Sequence, residues 1–327
     1  MKRLGMRLLR WAFLLPLLGC NALQPSSIGP ERNDVVWREF RSEHFVVCSD
    51  ADGKDVRESM ADFETTYRAL MALLFHEETK VPEPMQVVLF AHLADLRKFV
   101  PLAAVAAFSP SQPGDPESAP TILVETSLSE DARPTFVHEL THAFVDRWFG
   151  RVPIWLNEGL AQYFESMRIE KGRIVLGEPA ASTGFGLQAT QMPGLTALIT
   201  ADPSVFYAGN DGHSVESLYQ EGSYYVASWC LVRLLMHDNG DYRRRFFQFL
   251  EALTERVPAQ AAWARAFDGA AYRRLAHDYS EYFRREMDTG FVSVAVPAAA
   301  DVVKQERVMR ADETRSLWAR LARVKRR

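Results

Sequence analysis

The sequence predicts an α+β protein: a small mixed sheet, a helix carrying two histidines one turn apart, and then a mainly helical C-terminal part. Three observations lead there. Short apolar runs in the first half, HFVVCS (44–49), MQVVLFA (85–91) and TILVETS (121–127), have the length and composition of buried strands. Between the first two lies VRESMADFETTYRALMALLF (56–75), in which Met60, Phe63, Tyr67, Leu70, Met71 and Leu74 recur at helical spacing. Beyond residue 195 the helical period dominates, with helices expected at about 195–200, 215–237, 241–256, 259–267 and 270–287.

Taken in order, the chain begins with a basic stretch, MKRLGMRLLR, followed by the apolar run WAFLLPLL and Gly19-Cys20. The run is too short to span a bilayer, which takes ~20 apolar residues. It resembles a bacterial lipoprotein signal with Leu17-Leu18-Gly19-Cys20 as its lipobox. The resemblance implies cleavage before Cys20, lipid on that residue and attachment to the cell envelope. Asn21 rather than Asp follows the cysteine, and by the sorting rule of that class this favours the outer membrane, facing the periplasm, over the inner membrane. Residues 1–19 are thus read as the signal and 20–36 as a tether rich in Pro, Ser, Gly and Asn. Residues 37–130 are read as an N-terminal α/β part, 131–290 as a helical metal-binding part and 291–327 as a C-terminal tail.

A short helix, LADLRKFV, is expected after the second strand. SPSQPGDPESAP (109–120) reads as a loop, and MRIEKGRIVLG (167–177) as a hairpin turning at Lys171-Gly172. The basic end RVKRR is expected to be a solvated, partly helical tail. With 47% hydrophobic and 24% charged residues the bulk is that of an ordinary folded protein. Lys2, Arg3, Arg7 and Arg10 are the only charges in the first nineteen residues. Removing these four cations from a net charge of −4 leaves −8, which argues against nucleic acid as a general partner. Cys48 and Cys230 are expected to be buried, unpaired thiols rather than a bridge.

The chemistry concentrates in TFVHELTHAFVDRWF (135–149). On a helix turning about 100° per residue, His142, Asp146 and Glu139 fall within about 100° of His138. Phe136, Val137, Leu140, Ala143, Phe144 and Trp148 fill the other side. Pro134 and Gly150 frame the element. Two imidazoles at i and i+4 can reach one ion from the same side, and Glu139 then stands beside the metal as a base for water bound there. A bland reading, a surface helix that happens to carry histidines, leaves this grouping unused.

A catalytic zinc site needs a third ligand and an open position. Glu158 supplies the carboxylate. It lies in VPIWLNEGLAQYFESM (152–167), a second helix after a short turn, with Gln162 and Glu165 on the same face and Gly159 permitting close helix approach. Taken alone Glu158 is an ordinary helix carboxylate; beside HELTH it reads as the ligand.

HELTH followed by WLNEGLAQYFE resembles the gluzincins, zinc metallopeptidases whose third ligand is a glutamate on the next helix. The likeness is nearest to bacterial peptidase MA-like families and more distant to the aminopeptidase N relatives. It implies a zincin-like fold, one Zn2+ held by His138, His142 and Glu158, Glu139 as general base, and a peptide or protein substrate. Tyr219-Gln220-Glu221-Gly222 is similar to a segment of the aminopeptidase branch whose tyrosine stabilises the oxyanion. A positioned donor is needed there on chemical grounds too, and Tyr219 is the candidate, with Tyr224 and Tyr225 as rivals. The branch's Gly-x-Met-Glu-Asn segment is missing before His138. Some gluzincins orient a ligand histidine with an Asp four residues after the ligand glutamate; here that position is Gln162, with Asp146 as an alternative orienting group. The strand TILVETS is expected at the sheet edge, where an extended peptide can lie. Two rivals remain open: a non-catalytic envelope module binding a peptide or partner, and a zinc amidase acting on peptidoglycan.

Overall fold

The computed structural model describes residues 35–75, 83–100, 106–109, 120–126, 133–170, 173–176, 192–206, 215–237, 240–282, 292–295 and 301–325. The signal and most of the tether therefore lie outside the described residues. The fold is mixed α+β, as expected. Strands β1 (Arg38–Arg41), β2 (Phe45–Ser49), β3 (Met85–Phe90), β4 (Ala106–Ser109), β5 (Thr121–Glu125) and β9 (Gln305–Val308) form a six-stranded sheet in the order β4-β5-β3-β2-β1-β9. Its middle, β2, β3 and β5, is parallel, and the flanking pairs are antiparallel.

Parallel strands are covered on both faces, so they read as continuous apolar runs rather than alternating ones. Phe45, Val47, Val87, Leu89, Ile122 and Val124 point into the main core. Cys48, Val88, Phe90 and Leu123 point the other way, into a smaller core with Trp37, Phe99 and Trp318. The main core is closed by α1 (Gly53–Leu74), whose Asp52 cap accepts from Lys54 N at 2.8 Å, and by the two helices that carry HELTH and WLNEGLAQYFE. The short helix α2 is Leu93–Leu96.

TILVETS is not the edge strand. β4 covers it antiparallel, pairing Ala107 with Leu123 and Phe108 with Ile122, so among the described residues β4 holds the margin. An Ala-rich stretch of four residues has too little β-branched or aromatic character to announce a strand. Most of the expected loop, 110–119, lies outside the described residues.

Much of the segment read as a C-terminal tail, 291–327, is built into the fold; of its basic end RVKRR, residues 323–325 are helical, as expected in part, and 326–327 lie outside the described residues. β9 completes the large sheet beside β1, with Arg307 bonded to Glu39 at 2.8 Å. Helix α10 (Ala311–Lys325) buries Leu317, Trp318 and Leu321 in the smaller core. The strands of the predicted hairpin are β6 (Arg168–Glu170) and β7 (Arg173–Leu176), paired antiparallel, while the expected turn at Lys171-Gly172 lies outside the described residues; β8 (Val292–Ala295) adds a third strand. Helices α5 (Leu195–Ile199), α6 (Val215–His237), α7 (Asp241–Thr254), α8 (Ala259–Ala266) and α9 (Gly269–Tyr282) follow close to the expected bounds. Among the described residues no helix is long and apolar enough to cross a membrane. Cys48 and Cys230 are free and buried, and burial pushes the Cys48 thiol up to about 11.

The C-terminal end of α6 is tied down by His237, whose Nε2 lies 2.9 Å from the Tyr163 hydroxyl. Burial, with the charges of Arg233 and Arg243, lowers the His237 pKa to about 4 from an ordinary value of 6.5. Between those values the unfolded chain binds the proton and the folded one does not, so stability falls as pH drops from about 6.5 to about 4. The shift sets a ceiling of about 3 kcal/mol, and partial exposure brings the expected loss to about 1–2 kcal/mol. Urea midpoints of wild type and His237→Asn over this range measure it. The variant's profile is expected to be flatter by that amount, and parallel profiles would show that His237 is not responsible.

Candidate metal centre

The two histidines sit on α3 (Arg133–Phe149), which starts with Pro134 in its first turn. Gly150 ends it in the left-handed conformation, φ 70°, with its N–H donating to the carbonyls of Val145 and Asp146. The apolar side of α3 enters the main core, with Phe136 stacked on Phe63 at 4.4 Å and Phe144 edge-on to Tyr67 at 5.5 Å. After the reversal, α4 (Ile154–Glu165) begins behind Pro153 and buries Trp155, Leu156, Leu160, Tyr163 and Phe164. Gly159 faces α6 rather than α3: a Cβ there would meet Ser228 O at 2.7 Å. The close approach foreseen at this glycine is therefore between α4 and α6, and it fixes the helix that carries Glu158.

The three predicted ligands converge. His138 Nε2 and His142 Nε2 each lie 3.7 Å from the same oxygen, Glu158 Oε2. The imidazole rings are 4.7 Å apart and nearly perpendicular, 83°. The donor atoms of all three lie within 4.8 Å of one another. Two donors on a tetrahedral ion with bonds of about 2.0–2.2 Å stand roughly 3.4 Å apart, so each histidine has to approach Glu158 by a few tenths of an ångström from 3.7 Å, and the widest pair of the set, within 4.8 Å, by up to about 1.4 Å. Glu158 is only 4% exposed, and a carboxylate buried against two imidazoles is costly without a cation to share. The group can hold a metal ion, and its N,N,O donor set suits an ion of borderline softness.

The second layer differs from the expectation. Glu165 Oε2 lies 3.1 Å from His138 Nδ1. A carboxylate there holds the ring proton on Nδ1 and leaves the Nε2 lone pair for the metal. Neither residue expected in this role fills it. Gln162 Oε1 is buried without a hydrogen-bond partner. Asp146 makes no hydrogen bond to either histidine among the described residues; burial raises its pKa, against the charges of Arg256 and Arg147. Glu165 lies two turns beyond Glu158, on the face that helical spacing groups with it. Because the chain reverses between α3 and α4, that position meets the imidazole one turn before His142, a signal the spacing contained. His142 Nδ1 is buried and unpartnered, with Asn157 acting on the ring only through a looser contact.

The electrostatics follow burial. Burial lowers the His142 pKa to about 4, helped by the charge of His138, so this ring is neutral near pH 7, as a ligand must be. For His138 burial also disfavours the charge, but the Glu165 hydrogen bond and the nearby carboxylates outweigh it and raise the pKa. Burial raises the Glu139 pKa, opposed by His142, His138 and the amide of Phe108. That amide, on β4, donates to Glu139 Oε2 at 2.8 Å. Glu139 is thus held beside the three donors without being one of them. Tyr219 falls in α6, but its side chain lies outside the described residues. Its rivals Tyr224 and Tyr225 pack edge-on against Phe206, at 5.6 and 5.3 Å.

Glu165→Ala is expected to weaken metal binding by about 10- to 100-fold. Competition with a chromophoric chelator measures it, and an unchanged affinity would show that the Glu165 contact orients nothing. No protein-family model matches the chain, and no curated protein matches it.

Proposed function

We propose that the protein is an exported, lipid-anchored zinc metallopeptidase in which His138, His142 and Glu158 hold one Zn2+ and Glu139 is the general base. The observation that carries the reading is the meeting of three donor side chains at one point, with a half-buried carboxylate beside them that is bonded to β4. Zinc held there supplies Lewis acidity toward water and a peptide carbonyl.

The chain's own groups do the rest. Glu139 accepts the proton of the attacking water and returns it to the departing amine. While the strand is empty, Glu139 Oε2 accepts from Phe108 N, which holds the carboxylate beside the donor set. Glu165 keeps the proton of His138 on Nδ1. Tyr219, on α6, is the proposed hydroxyl donor to the negative charge that develops on the carbonyl oxygen. β4, which among the described residues pairs only with β5, is the strand along which an extended peptide aligns. Attachment through lipid on Cys20 rests on the sequence of the first twenty residues.

The test combines metal analysis with hydrolysis of casein and of purified sacculi, by wild type and Glu158→Ala. Stoichiometric zinc and casein cleavage, both lost in Glu158→Ala, are expected. Cleavage of sacculi alone would make the protein an amidase, and zinc with no cleavage of either would make it a binding module.

A further inference from the structure

The contact between Glu139 and β4 engages a backbone group that an arriving peptide also needs. Among the described residues β4 pairs with β5 alone. In an antiparallel pair, the N–H and C=O of one residue point the same way, and the direction alternates along the strand. Phe108 N donates at 2.8 Å to Glu139 Oε2 on α3 and so points away from β5. The Phe108 carbonyl and both backbone groups of Ala106 share that outer side. Of these outward groups, the Phe108 amide is the one tied to the base.

We propose that Glu139 and an extended peptide compete for the Phe108 amide, so that a peptide pairing with β4 takes this N–H with one of its own carbonyls and releases the base. The inference rests on the peptidase reading and adds a coupling: occupancy of the strand frees the carboxylate. A carboxylate is a stronger acceptor than a peptide carbonyl, so the exchange opposes binding and is offset by the other hydrogen bonds an added strand makes. The contact restrains the base while the strand is empty and gives way when it is filled.

The test reads peptide binding, with no turnover. Fluorophore-labelled oxidised insulin B chain is titrated by anisotropy into metal-depleted wild type, Glu139→Ala, Phe108→Pro and the double variant. Proline suits an edge position whose N–H lies outside the ladder. Glu139→Ala is expected to bind about 3- to 10-fold tighter than wild type, the worth of one hydrogen bond. In the Phe108→Pro background the same change is expected to have no effect. Equal or weaker binding by Glu139→Ala overturns the competition and leaves the peptidase reading standing if zinc-loaded wild type still cleaves. No binding by any variant and no cleavage overturn both.

Should Phe108→Pro not fold, 15N-phenylalanine labelling gives the same information, with the resonance assigned through Phe108→Leu. The Phe108 amide proton is expected to move upfield in Glu139→Ala, and to converge on one position in both proteins when peptide is added. A resonance indifferent to Glu139 overturns the proposal.

Discussion

Under the proposed function, Glu139→Gln is expected to retain the metal and lose peptide hydrolysis by about 100- to 10,000-fold in kcat. The metal is retained because the three donors come from other residues, and both histidine Nε2 atoms face Glu158 rather than Glu139. Gln also keeps an amide oxygen able to accept from Phe108 N, so β4 is expected to stay in place. What it lacks is basicity. Burial raises the Glu139 pKa, which makes its carboxylate a better proton acceptor than a solvated glutamate. The other two carboxylates of the centre cannot replace it, since Glu158 is shared between the two imidazoles and Glu165 is committed to His138 Nδ1. The measurement is metal content per chain together with single-turnover hydrolysis. Equal hydrolysis by both proteins would remove Glu139 from the mechanism, and loss of metal along with activity would mean that its role is structural.

The sequence showed most of this site and less of its surroundings. His138, His142 and Glu158 were legible because helical periodicity translates spacing into direction: residues four apart on one helix, and a carboxylate shortly after a turn, have few ways to miss one another. The strands in the middle of the sheet were legible for a similar reason, since β2, β3 and β5 are buried on both faces and carry unbroken apolar runs.

The margins were not legible. β4 is held by its pairing to β5 and by the bond from Phe108 to Glu139, and neither leaves a mark in the composition of AAFS. β9, QERV, is polar because an edge strand needs only one covered face and benefits from charge on the other. The three apolar anchors of α10, Leu317, Trp318 and Leu321, sit among charged residues, and the partners that make sense of them, Trp37 and Phe99, are more than two hundred residues away in sequence. Local pattern reports what a residue faces; it does not report which distant segment supplies the other side.

Gly159→Ala is expected to destabilise the fold by about 3 kcal/mol, the upper end for overpacking a core, and to weaken metal binding by more than about 10-fold. A Cβ on Gly159 would stand 2.7 Å from Ser228 O, 2.8 Å from Val232 Cγ2 and 3.0 Å from Ser228 C. Two of these are backbone atoms in the middle of α6, beside the fully buried Trp229 and Cys230. They cannot swing aside as the tip of a long side chain would, so α4 has to move as a unit. Glu158 is the next residue, and its oxygen stands at equal distances, 3.7 Å, from the two histidine nitrogens. A shift of the helix by a few tenths of an ångström unbalances that position, and functional constellations tolerate only about 0.5 Å. The stability term is read from urea midpoints of the metal-free protein and the affinity term from chelator competition. Gly194→Ala serves as the control, since a Cβ at Gly194 has no atom within 4 Å; its midpoint is expected to change by no more than about 0.5 kcal/mol. If Gly159→Ala unfolds at the wild-type midpoint and binds metal as tightly, then α6 is not what holds Glu158 in place, and the convergence of the three donors must be maintained from α3 alone.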